Sequence, residues 1–90
     1  MLGSVNLQPF AGISTMPQKA ASAWSGALAE LVGAVYKPLI YLGDQQVKGT
    51  NYWFIAEVTV LGVQSTRKIV LLAINEFDGK YTIVTNNHII

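Results

Sequence analysis

Few side chains in this chain could do covalent or acid–base chemistry. There is one histidine, His88, and no cysteine. The five acidic residues, Glu30, Asp44, Glu57, Glu76 and Asp78, are spread along the chain. The lack of cysteine excludes disulfides, thiol nucleophiles and thiolate metal sites. One histidine with scattered carboxylates cannot close a zinc site. No serine stands in a nucleophile elbow, and no glycine-rich phosphate loop follows a strand. Glu76 and Asp78 flank one residue beside Gly79, a pattern that fits a solvated hairpin tip better than a catalytic carboxylate pair. His88, near the end of the chain, reads as a surface residue. The expectation is a protein that is not an enzyme, with no catalytic residue, no metal and no cofactor.

What remains is recognition, and it centres on Gln45-Gln46-Val47-Lys48-Gly49-Thr50-Asn51-Tyr52. Before this polar stretch runs Tyr36-Lys37-Pro38-Leu39-Ile40-Tyr41-Leu42, and after it Trp53 to Leu61, both rich in aromatic and aliphatic residues. Two such runs parted by a short polar segment with a glycine predict an antiparallel hairpin with its loop at about 45–50. Val47 then stands alone at the tip, with no core to enter. A lone exposed valine is ordinary; it gains meaning only if other apolar groups gather beside it. Trp53, just after the loop, is either a binding anchor or a buried structural residue, whereas Trp24 belongs to a helix stripe.

The elements that must position this tip follow from composition and pattern. Ninety residues make one domain. With 51% hydrophobic and 12% charged residues it is globular, and a net charge of +1 gives it none of the basic footprint of a nucleic-acid binder. The longest apolar run, Ile69 to Ile74, is too short to span a bilayer. Residues 1–15 hold no lysine or arginine and no long apolar run, so no secretory leader is expected there. A cytoplasmic location fits these features, and so does a secreted form whose leader has been removed.

Residues 1–14 read as an N-terminal arm, with at most a short edge strand near Phe10 to Ile13. Residues 15–35 read as one helix. Thr15 and Gln18 fit a capping box, Pro17 suits the first turn, and Ala20, Trp24, Leu28, Leu31 and Val35 form an apolar stripe. Residues 36–90 read as four strands, at about 36–44, 50–61, 67–75 and 80–88. Pro38 points to an edge or a bulge, and Asp78-Gly79 to a tight hairpin turn. The fold class is α+β: one N-terminal helix packed on a four-stranded antiparallel sheet. In such a meander the first and third loops lie at the same end, which brings 45–50 next to 75–80.

Gln45-Gln46-Val47-Lys48-Gly49 fits the Gln-x-Val-x-Gly motif of the cystatins. The match runs on through Thr50-Asn51-Tyr52, which often follows the motif in the stefin-like, disulfide-free branch. The motif also stands between the first and second strands, with a helix before it, as in that family. The resemblance implies a long helix wrapped by an antiparallel sheet and a reversible, tight-binding inhibitor of papain-like cysteine peptidases. In that family an N-terminal glycine segment and two hairpins form an apolar wedge, which enters the active-site cleft without offering the nucleophile a cleavable bond. Carried over, the wedge would comprise Gly12 in the arm, Gln45, Gln46, Val47, Lys48 and Gly49 in the first hairpin, and Phe77 in the second. Gly3 is the other candidate for the arm.

Three features depart from the family pattern. Lys48 replaces a residue that is often small and apolar, the second hairpin lacks a Pro-Trp or Leu-Pro signature, and the arm glycine is not uniquely placed. They keep two alternatives open: a cystatin-fold binding module without inhibitory contacts, and a chain that self-associates by exchanging its long hairpin. The partner implied by the resemblance is a papain-like cysteine peptidase bound by a monomer, a domain-swapped dimer being the alternative state; no nucleic acid or membrane is implied.

Overall fold

The computed structural model describes residues 5–11, 16–29, 31–62 and 66–90. Among these residues five strands and one helix follow in the order β1 (Val5–Ala11), α1 (Gln18–Leu28), β2 (Ala34–Val47), β3 (Gly49–Val60), β4 (Thr66–Phe77) and β5 (Lys80–His88). The helix packs on the four-stranded antiparallel sheet β2 to β5, an α+β arrangement. Strand β1 adds a fifth member along the β2 edge, and all neighbouring strands are antiparallel. This strand comes from the arm; it starts earlier than the edge strand expected at Phe10 to Ile13 and includes Phe10, while Ile13 lies outside the described residues.

The alternation in β3 builds the core. Successive side chains of a strand point to opposite faces, and Tyr52, Phe54, Ala56 and Val58 are all buried on one of them. Their β4 counterparts Val70, Leu72 and Ile74 are buried in the same cluster. Ala20 and Ala23 of α1 close onto it with no exposure, and Trp24 and Leu28 pack at its margin. Small alanines let the helix axis come close, so the aromatic rings fill the layer between. Phe54 lies at the centre, 5.1 Å from the Trp24 ring in an edge arrangement and 5.5 Å from the Tyr41 ring. Gly26 serves the same close approach: a Cβ there would overlap the Tyr81 ring of β5. The sheet curls far enough for Asn86 Nδ2 of β5 to donate to the Tyr36 hydroxyl of β2 at 2.9 Å.

The helix differs from the expected span at both ends. It begins at Gln18 with Pro17 as N-cap and no side-chain cap bond; Thr15 lies outside the described residues. Gln18 is thus the first helical residue, not the third, which a capping box requires. At the other end the helix stops at Leu28 instead of continuing to Val35. Gly33 adopts φ +86°, and Ala34 and Val35 pair with Val60 and Thr59 as the start of β2. Helix stripe and strand compete for the same residues, and β-branched valine next to a ready partner strand favours the sheet. Pro38 meets both of its expectations. The β2 ladder shifts register between Pro38 and Ile40, and β1 reaches only the Tyr41–Gln45 part of β2.

Burial has a consequence at high pH. The Tyr41 phenol is pushed up to about 12, first by burial and then by the charges of Asp44 and Tyr52. Tyr52 is also raised, by burial and then by Glu76, against a hydrogen bond from Thr50 that lowers it. Both shifts favour the neutral phenol in the folded state. Unfolded tyrosines titrate near 10.0, so above that pH the unfolded chain releases protons that the folded chain retains. This contribution to stability is complete below about pH 10 and is lost as pH rises toward about 12. Thermal melts followed by circular dichroism are expected to show a melting temperature that falls across that window. Tyr41→Phe should make the fall shallower; an equally steep fall would contradict the assignment.

Candidate functional site

The β2–β3 hairpin is tighter than the expected loop. Val47 pairs with Gly49, leaving Lys48 at the tip, so Gln45 and Gln46 belong to β2 and Thr50 to β3. Gly49 is at φ +80°, in the left-handed region that favours glycine. Packing gives a second reason for glycine here. A Cβ on Gly49 would overlap the backbone carbonyl oxygen of Glu76 and come within 3.0 Å of Phe77 Cβ. The first hairpin therefore rests directly on the end of β4.

The β4–β5 hairpin turns at Asp78 and Gly79, whose φ angles are +54° and +76°. Two successive positive φ values are those of the tight turn that Asp-Gly favours. Glu76 Oε1 accepts from the Gly79 amide at 3.1 Å, so its carboxylate braces this turn. Phe77, 46% exposed, stands beside the turn. The Lys48 ammonium lies over the Phe77 ring, 5.2 Å from its centroid, within the range of a cation–π contact. The charge at the first tip is thereby drawn onto the second hairpin.

Val47 is half-buried, more covered than a free hairpin tip would be. Gln46 is exposed, and its Nε2 donates to the Gly49 carbonyl at 3.3 Å, closing the tip. Gln45 faces sideways in the ladder: its Oε1 accepts from Trp53 Nε1 at 3.0 Å and from Asn51 Nδ2 at 3.3 Å. Trp53 is half-buried, its indole N–H held by Gln45 and its backbone in register with the buried Ala73. These contacts favour the structural role for Trp53.

Asn75 was not singled out in the sequence. Its Nδ2 donates to the Lys48 carbonyl at 3.0 Å and to Asn51 Oδ1 at 2.9 Å. Gln45, Asn51 and Asn75 are register partners across β2, β3 and β4, so these amides form one row running across the sheet. Such a row is invisible in one dimension, because its members are separated by whole strands.

Gly12 and Gly3 both lie outside the described residues. Between them β1 starts at Val5, opposite Gln45, and ends at Ala11, opposite Tyr41. The end of β1 nearer Gly3 in sequence is the one beside the first hairpin. Behind the hairpins an open cleft of about 480 Å³ lies between the start of α1 and the sheet, lined by Lys19, Ser22, Thr50, Tyr52, Glu76 and Tyr81 among others. Among the described residues no group of three histidine or acidic side chains is placed to hold a metal ion. No helix among them is long and apolar enough to cross a membrane. No family model, no curated protein and no solved structure matches the chain.

Proposed function

We propose that this chain is a reversible protein inhibitor of papain-like cysteine peptidases. The observation that supports this most is the juxtaposition of the two hairpins. Gly49 lies against Glu76 and Phe77, Lys48 lies over the Phe77 ring, and Val47 pairs with Gly49 beside them, making one ridge at the end of the sheet. The ridge carries the Gln-x-Val-x-Gly stretch at its centre and an exposed phenylalanine beside it. A projecting ridge of this kind can enter a substrate cleft. Because its backbone is fixed by ladder hydrogen bonds, little ordering entropy is lost on binding. In this reading the N-terminal arm is the third part of the wedge, through Gly12 with Gly3 as the other candidate. Binding is by a monomer, and a chain without cysteine suits a reducing, cytoplasmic setting.

Lys48 also favours a second reading, a binding module of the same fold that does not inhibit. Its ammonium must be desolvated or displaced from Phe77 if the ridge enters an apolar cleft. The discriminating experiment follows hydrolysis of a fluorogenic peptide by papain at increasing concentrations of the protein. The inhibitor reading expects reversible inhibition that is relieved by excess substrate. No inhibition at about 10 µM, a level at which even modest affinity would register, would exclude papain as a target and favour the second reading.

A further inference from the structure

We infer that Asn75 is the positioning residue that locks the two hairpins into one rigid ridge. It lies on β4, within the approach to the second hairpin, yet its side-chain amide serves the first. One Nδ2 group has two hydrogens, and two acceptors are in reach: the Lys48 carbonyl at 3.0 Å and Asn51 Oδ1 at 2.9 Å. Lys48 is the tip of the first hairpin, outside the β2–β3 ladder, whose last pair is Val47 with Gly49. The Asn75 bond is therefore a tether from β4 to the tip. Asn51 passes the connection on to Gln45 Oε1, which also holds Trp53. The row thus joins three strands next to the ridge, and only a side chain with two donors on one nitrogen and the reach of asparagine closes it.

The geometric part of this inference concerns the free protein. Its kinetic consequence rests on the inhibitory reading: a ridge held in its bound shape should leave the peptidase slowly, since changes in interface order act mainly on dissociation. Two variants separate volume from hydrogen bonding. Asn75→Ala removes both donors. Asn75→Asp keeps the shape but turns oxygen toward two oxygens, and should do at least as much damage.

The experiment compares both variants with the native protein in amide hydrogen exchange of the free chain, thermal melting, and association and dissociation with papain. Exchange of the amides in the pairs Gln45–Asn51 and Gln46–Thr50, at the base of the tip, is expected to quicken about tenfold, the factor that one net hydrogen bond represents. Dissociation should quicken by about the same factor while association changes less than about twofold. Native-like exchange at those paired amides in both variants would overturn the inference, whatever papain does. Faster exchange with unchanged dissociation would overturn its kinetic consequence. Faster exchange in a protein whose native form does not inhibit papain would support the tether and remove the inhibitory reading instead.

Discussion

Phe54→Ala is expected to lower the melting temperature by more than about 12 °C. Phe54 has no exposed surface and contacts both Trp24 of the helix and Tyr41 of β2. From its place on β3 it therefore links the helix to β2. Removing it deletes transfer free energy and leaves a cavity that flanking aromatics cannot fill without leaving their own positions, a loss of about 3–5 kcal/mol. Domains typically hold only about 5–15 kcal/mol in total, and this one has no disulfide to supplement its core. In a domain of this size each kcal/mol moves the melting temperature by about 4–8 °C, so a fall of more than about 12 °C is expected by calorimetry or circular dichroism. Val84→Ala is the control: Val84 is 51% exposed, and its truncation should change stability by less than about 0.5 kcal/mol. A Phe54→Ala loss below about 1 kcal/mol would mean that the core is not built around that ring.

Val47→Asp carries the largest expected effect on binding. If the ridge enters an apolar cleft, the new carboxylate must shed water with no partner supplied for it, which is costly. About a hundredfold weaker inhibition of papain is expected, equivalent to about 2.7 kcal/mol. Stability should move little, because Val47 is at the hairpin tip and is only half-buried. A melting temperature within about 4 °C of the native value corresponds to less than about 1 kcal/mol. The two readouts together matter more than either alone. Weak inhibition with a large drop in melting temperature would show that Val47 supports the fold instead of the interface. Unchanged inhibition would place the contact surface elsewhere.

The parts of this fold that were legible in the sequence are those whose signals are local. Alternate apolar residues Tyr52, Phe54, Ala56 and Val58 mark β3 and its buried face, and Asp78-Gly79 marks the tight turn, because both signals depend on neighbours in the chain. The adjacency of the two hairpins followed from connectivity alone. The helix end was misplaced because Leu31 and Val35 satisfy a helical period while Ala34 and Val35 also complete β2. The choice between them is made by Gly33 at φ +86° and by the waiting edge of β3. Strand β1 contains Pro9 and mixed polar residues, and what holds it is backbone pairing to Tyr41–Gln45, which composition does not encode. At the ridge, Val47 stands out as a lone apolar residue at a hairpin tip, whereas Lys48, Gly49 and Phe77 enter only through the resemblance to the Gln-x-Val-x-Gly family. Asn75 was missed because its meaning depends on register: it matters only once Asn51 and Lys48 are known to lie across from it.

The most direct test of the ridge is to map the surface that a peptidase covers. Isotope-labelled native protein would be titrated with papain whose active-site thiol is capped by a small alkyl group, and backbone amide resonances followed. A wedge that needs no reaction with the thiol should still bind. The predicted result is perturbation concentrated at Val47, Lys48, Gly49, Phe77 and Asp78, with the sheet around Ile55 and Leu71 unchanged. Perturbation confined to the sheet face or to α1, with those five amides unmoved, would contradict the account.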